Sequence, residues 1–199
     1  VDISQHNASG TIDWEKVAES TDLLILRCGV TRTETSPIGI GKDFKFETFA
    51  RKCQAYGIPF GVYYYGKCST VEQAREEAEF TWQIANPYDP LFYVYDAEES
   101  RLNKEKIEAY MKRLQSLGAK KTGYYIAHNL YTTYRLDTSL VDFIWIPRYG
   151  KNDGTVSAVP SYPCDLHQYT SRGSVPGFPG RVDVNRLTGT KPFGWFTSK

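Results

Sequence analysis

LFYVYDAEE, residues Leu91 to Glu99, opens as an apolar, β-branched and aromatic run and closes on three carboxylates, Asp96, Glu98 and Glu99. The run reads as a buried strand. Side chains two apart on a strand leave the same face, with Cα atoms roughly 6.6 Å apart. Asp96 and Glu98 are therefore expected to point into one cavity while Glu99 turns away. Two acids on one face at the end of a buried strand repel each other and lose solvation, so at least one is expected to hold its proton toward neutral pH. A general acid needs that environment.

Working outward, the chain alternates strand and helix patterns. Val1–His6 reads as a short strand with Asp2 and Ser4 on one face. Asp13 is placed as the N-cap of a short helix, and Leu23–Val30 is a continuous apolar strand of the parallel-sheet kind. A Thr/Gly/Pro loop is expected over Thr31–Lys42. A helix follows from about Asp43 to Tyr56, with Phe46, Phe49, Cys53 and Tyr56 in its core row and Gly57 as its stop. Pro59–Gly66 reads as a strand, with Tyr63 and Tyr65 on one face and Val62 and Tyr64 on the other. Ser69 and Thr70 have capping-box spacing for a helix reaching Ala85. Beyond the acidic strand come a helix over Lys104–Leu117, a strand over Thr122–Ala127 and a short helix near Leu130–Leu136.

The last third loses its helices. Phe143–Tyr149, Asp165–Tyr169 and Val182–Asn185 read as strands joined by Gly/Pro/Ser loops. Residues after Gly189 read as a closing segment or the start of a linker. The whole, residues 1–199, is expected to be a single catalytic α/β domain. Its fold is expected to be an irregular, TIM-like (β/α) barrel, with helices around the first part and mostly loops in the last third.

Composition narrows the function. A net charge of +1 without a basic stripe argues against nucleic acid as a partner. No apolar run reaches membrane-spanning length, so no membrane insertion is expected. Four cysteines lack CxxC or zinc spacing, and His6, His128 and His167 lack metal-ligand spacing, so neither a metal nor any other cofactor is expected. Buried free thiols fit synthesis in a reducing cytosol. The 15 tyrosines suit a wet, amphipathic contact surface such as a saccharide cleft.

In a parallel barrel the site lies at the C-terminal ends of the strands. Asp2, Asp96, Glu98 and Asp183 stand in or just after strand patterns, and Tyr64, Tyr125, Trp145 and Gln168 hold comparable places. Acids and aromatics converging on one mouth make a sugar-cleaving layout. Tyr63 and Tyr65 are expected in barrel packing. Arg148 and Arg181 read as surface or supporting charges, either of which can meet a carboxylate of a substrate.

With these motifs in hand, the chain resembles the glycoside hydrolase family 25 lysozymes, the N-acetylmuramidases of bacteria and bacteriophages. The opening VDISQHN, the strand YVYDAEES and the closing LHQYTSRGSVPGFPGRVDVNRL carry the resemblance, with GYYIAHN and FIWIPRYG between them. It implies hydrolysis of the β-1,4 bond from N-acetylmuramic acid to N-acetylglucosamine in bacterial peptidoglycan. It also implies Glu98 as the acid and later base, Asp96 as the residue orienting the substrate's 2-acetamido group, and Asp2 and Asp183 as supporting acids. Tyr64, Tyr125, Trp145 and Gln168 are implied to bind the saccharide. Two acids on one strand suit assistance by the acetamido group, hence net retention, better than attack from opposite faces. Rival readings are a non-catalytic wall-binding module, or a glycosidase on another N-acetylated polymer such as chitin. The chain is expected to be made in the cytoplasm and to act at the cell wall, after holin release if it is the catalytic domain of a phage endolysin, or after secretion. A separate wall-binding domain on a longer chain is compatible with it, and the oligomeric state is left open.

Overall fold

A computed structural model describes residues 1–7, 10–31 and 40–199. The elements in order are β1 (Asp2–Ile3), α1 (Trp14–Ser20), β2 (Leu24–Thr31), β3 (Ile40–Lys42), α2 (Phe46–Tyr56), β4 (Phe60–Tyr65), α3 (Val71–Ala85), β5 (Tyr93–Ala97), α4 (Lys104–Ser116), β6 (Thr122–Ile126), α5 (Tyr131–Tyr134), β7 (Phe143–Pro147), β8 (Leu166–Gly173), β9 (Val182–Leu187) and α6 (Phe193–Thr197). Of the nine strands, eight close into a barrel in the order β1-β9-β8-β7-β6-β5-β4-β2, with β2 pairing back onto β1. The irregular, TIM-like barrel expected from the element order is therefore the fold.

Two details differ from expectation. β9 runs antiparallel to both neighbours, β8 and β1. Only a loop separates Gly173 from Val182, and a parallel return needs a crossover of a dozen or more residues. Ile40–Lys42, expected in a loop, pairs as β3 on the outer edge of β2. The rest of that expected loop, residues 32–39, lies outside the described residues.

The helices start and stop where side chains satisfy their ends. Asp13, Thr70 and Asn103 accept from the backbone N–H three residues on, and Gly57 takes a left-handed φ of 66° to end α2. Tyr56, expected in the α2 core row, is exposed instead.

Period-two alternation gives each strand an inner and an outer face, and both are buried. Outer residues such as Leu24, Leu26, Cys28, Val62, Tyr64, Tyr93 and Tyr95 pack against Phe46, Phe49, Ala78, Tyr110 and Met111 of the helices. Inner residues Ile25, Val94, Tyr125, Phe143, Trp145 and Leu166 fill the barrel. The rings of Phe92 and Phe143 occupy space that a Cβ at Gly61 or Gly123 would take. α6 stoppers the base, with Phe196 fully buried and its ring edge-on to Phe143 and Phe92 at 5.2 and 5.9 Å. The apolar base and filled middle leave the opposite end, where strands finish, as the polar mouth.

One carboxylate sits inside the helical layer. Glu77 of α3 is fully buried and accepts hydrogen bonds from Thr31 Oγ1 (2.5 Å), the Tyr95 hydroxyl (2.7 Å) and the Lys67 backbone N–H (3.3 Å). Burial raises its pKa to about 7 against the pull of those donors.

Candidate active site

The mouth gathers the four predicted acids from three places in the sheet. Asp2 on β1 and Asp183 on β9 are direct partners across an antiparallel pair. Asp96 ends the inner face of β5, and Glu98 follows just past its end. The charge of Asp2 acts on Asp96, Glu98 and Asp183, and that of Glu98 acts on Asp96 and Asp183.

Asp2 is buried and fully bonded. Gln168 Nε2 lies 3.0 Å from each of its oxygens, and Asn185 Nδ2 donates to Oδ2 at 2.8 Å. Burial raises its pKa, and these donors restrain the rise. Gln168 is the hub of this network. Its Oε1 accepts the hydroxyls of Tyr125 (2.9 Å) and Tyr149 (2.6 Å) while its nitrogen serves Asp2. Trp145 Nε1 in turn donates to Asn185 Oδ1 at 2.9 Å.

Asp96 differs in kind. It is buried, yet its Oδ1 has no hydrogen-bond partner among the described residues. Burial, then the charges of Glu98 and Asp2, push its pKa well above the carboxylate range, with Arg27 pulling the other way. Arg27 is itself ion-paired to Asp43 at 2.8 Å. Burial and the charge of Asp2 raise Asp183 to about 8.

Glu98 stands at the rim, reachable by solvent, but partial burial still raises its pKa. The Tyr65 hydroxyl and Lys67 oppose the rise, and Glu99 and Asp2 add to it. Glu99 does not turn away as alternation predicts, because β5 stops at Ala97 and the strand rule stops with it. It accepts from the Tyr65 hydroxyl (2.9 Å) and pairs with Lys67 Nζ (3.2 Å). Burial works against its ionisation, but those two partners hold its pKa below the usual glutamate value.

The predicted saccharide contacts divide. Tyr125 lines a cavity of about 300 Å³ together with Glu98, His128, Arg148 and Tyr149. Tyr64 faces the other way. It is fully buried in the helical layer, its hydroxyl 2.7 Å from Thr31 Oγ1 and its ring against Tyr110. The mouth tyrosine of β4 is Tyr65, whose hydroxyl reaches the acids past β5, rather than the packing residue that the strand pattern suggests. Trp145 is also corrected: at 1% exposure it packs beneath the mouth, edge-on to Tyr125 with ring centres 4.7 Å apart. Gln168 has both ends of its amide occupied, so it shapes the site through Asp2 and the tyrosines rather than by free contact with a sugar. Asn185 and Tyr149 belong to the site without being among the residues the sequence pattern points to. Asn185 had a readable signal, lying two residues after Asp183 on the same face.

No group of three or more His, Cys, Asp or Glu side chains among the described residues is arranged to hold a metal ion. No helix among them is long and apolar enough to cross a membrane. The chemistry open to this arrangement is proton transfer at Glu98 beside a buried carboxylate that lacks a donor.

Residues 1–178 match the sequence model of the glycosyl hydrolases family 25. No curated protein matches the chain as a relative. Among solved structures, a glycosyl hydrolase 25 of Streptococcus pneumoniae superposes with a TM-score of 0.89 at 28% identity, over 96% of this chain and 87% of that one. The catalytic domain of an endolysin from a Listeria monocytogenes bacteriophage superposes at 0.83 with 24% identity, over 94% and 91%. A bacterial lysozyme from Streptomyces coelicolor gives 0.70 at 18% identity, over 95% and 91%.

Proposed function

The chain belongs to the glycosyl hydrolases family 25, and from that membership we propose that this peptidoglycan hydrolase is a muramidase that cleaves the β-1,4 bond from N-acetylmuramic acid to N-acetylglucosamine with net retention. The observation that carries this reading is the unpartnered Oδ1 of buried Asp96, beside Glu98. A buried acceptor without a donor costs about 1–3 kcal/mol. The 2-acetamido N–H of a bound sugar would supply that donor and relieve the cost.

In the proposed cycle, Glu98 gives its proton to the glycosidic oxygen as the bond to C1 breaks. The acetamido carbonyl oxygen, steered by Asp96 through the amide N–H, forms a bond to C1 and closes an oxazoline-type ring. Glu98, now a carboxylate, takes a proton from water, whose oxygen opens the ring at C1 and restores the acetamide. Two displacements at C1 return the original configuration. Asp2, whose carboxylate the Gln168 and Asn185 donors stabilise, keeps negative charge near the developing cation, and Asp183, its neighbour on β9, adds a carboxyl that holds its proton up to about pH 8.

The segment 1–199 is proposed to act as one catalytic domain, made in the cytoplasm and working on the wall. The test is digestion of purified peptidoglycan, borohydride reduction of the new ends and mass spectrometry. Muramitol at the new ends is the expected result. Glucosaminitol there, or no new reducing ends at all, would overturn the reading.

A further inference from the structure

We propose that Arg148 and the cavity beside Glu98 form a carboxylate-binding subsite that selects the anionic substituent of the muramic acid unit; this rests on the muramidase reading. The cavity, about 300 Å³, is walled by the turn after β6 (Ala127, His128, Asn129) and the end of β7 (Pro147, Arg148, Tyr149), with Glu98 and Tyr125 on its barrel side. It therefore opens directly beside the proposed acid and has room for a sugar substituent.

Its charge is opposite to that of the rest of the mouth. The carboxyl groups of Asp2, Asp96, Glu98, Glu99 and Asp183 crowd the mouth, and those that ionise, Glu99 first, disfavour an anionic polymer. Lys67 and Arg101 are drawn to Glu99, and Arg27 to Asp43. Arg148 is exposed and forms no ion pair among the described residues. Its backbone is nevertheless fixed, its N–H donating to the Gln168 carbonyl (2.9 Å) and its own carbonyl meeting His167 Nε2 (2.8 Å). A guanidinium on an anchored strand end offers two parallel N–H donors to a carboxylate.

His128 lines the same cavity as Arg148. Partial burial and then the Arg148 charge hold its pKa below the ordinary value. Its Nε2 accepts from the Ser161 backbone N–H at 3.1 Å. The neutral ring then carries its hydrogen on Nδ1. His128, neutral or cationic, thus offers Arg148 no ion-pair partner, and the remaining acid of the lining, Glu98, is the proposed proton donor. A muramic acid unit differs from glucosamine by its 3-O-lactyl group. That group bears a free carboxylate in stem-free glycan, and an amide leading to the peptide's own carboxylates in stem-bearing glycan. Both sources present the same anion to Arg148.

The experiment measures kcat and KM for the full chain and for Arg148→Ala and Arg148→Lys. The substrates are stem-free glycan, the same glycan with its lactyl carboxylates methyl-esterified, and stem-bearing glycan with free or amidated carboxylates. Arg148→Ala is expected to raise KM about tenfold on a carboxylate-bearing substrate, with kcat little changed and Arg148→Lys in between. It is expected to cause no loss on the neutralised form of that substrate. Sensitivity on the stem-free pair assigns the anion to the lactyl group; sensitivity only on the stem-bearing pair assigns it to the peptide. Equal loss on charged and neutralised glycan, or no loss on either, overturns the subsite. Wild-type chain that releases no muramic acid ends from any glycan fails the muramidase reading itself, a different result from an active wild type indifferent to Arg148.

Discussion

The Nε2 of Gln168 lies 3.0 Å from both carboxylate oxygens of Asp2, a contact between the first strand and the eighth across 166 residues of sequence. It satisfies a buried acid and joins it to two tyrosine hydroxyls. Gln168→Leu removes these bonds and leaves the carboxylate with Asn185 as its remaining side-chain donor. The expected cost is about 2–4 kcal/mol of folding stability, read from urea unfolding. Unchanged midpoints would refute the hub.

Glu98→Gln keeps the shape of the rim but cannot give up a proton. Hydrolysis should fall by about 10²–10⁴-fold while binding of a chitin-type or muropeptide oligosaccharide, measured by calorimetry, stays near wild type. Surviving lytic activity would remove Glu98 from its proposed role.

The charge of Lys67 holds the Glu98 proton more loosely than burial alone would. Lys67→Met should therefore raise the Glu98 pKa and carry the alkaline limb of kcat/KM upward by about half a unit. A limb that stays put, or moves down, contradicts the assignment.

Acetamido assistance predicts that fresh product appears as the β anomer. Proton NMR within the first minutes of digestion decides this, and the α anomer appearing first would exclude it. Asp96→Asn should lower kcat by about a hundredfold or more on N-acetylated glycan, and should matter far less for residual cleavage of de-N-acetylated glycan. Equal losses on both would detach Asp96 from the acetamide.

Glu77 holds its proton up to about pH 7 in the folded chain, well above the ordinary glutamate value of 4.5. Between those values the folded state binds a proton that the unfolded state has released. Its contribution to stability is thus present below pH 4.5 and lost as pH rises through 7. Glu77→Gln never ionises, so the stability difference should move in the variant's favour by about 3 kcal/mol from pH 4 to pH 8. A difference that does not change with pH in chemical unfolding would refute it.

Much of the fold was legible because strands and helices have different periods. Asp96 and Glu98 stood out because acids directly after an apolar run break a pattern. The orientation of the tyrosines on β4 did not stand out, and the reason is physical. In a barrel wrapped by helices both strand faces are buried, so apolar content cannot say which face looks inward. Tyr64 and Tyr65 exchanged roles on that ambiguity. The use of Gln168 was hidden for another reason: amide side chains show no polarity of intent in sequence, and only the ring closure brings Asp2 to it. The antiparallel β9 was readable in principle from the short connection before it.

That ring closure sets when the enzyme can work. β1, the earliest of the barrel strands to be translated, waits for β9 before its place between two neighbours is complete, and Asp2 waits for Asn185. A nascent chain halted anywhere before residue 185 carries Glu98 without its assembled surroundings. Synthesis itself thus acts as a safety catch: the cell that makes this wall-cutting tool holds only blunt fragments until β9 has been added.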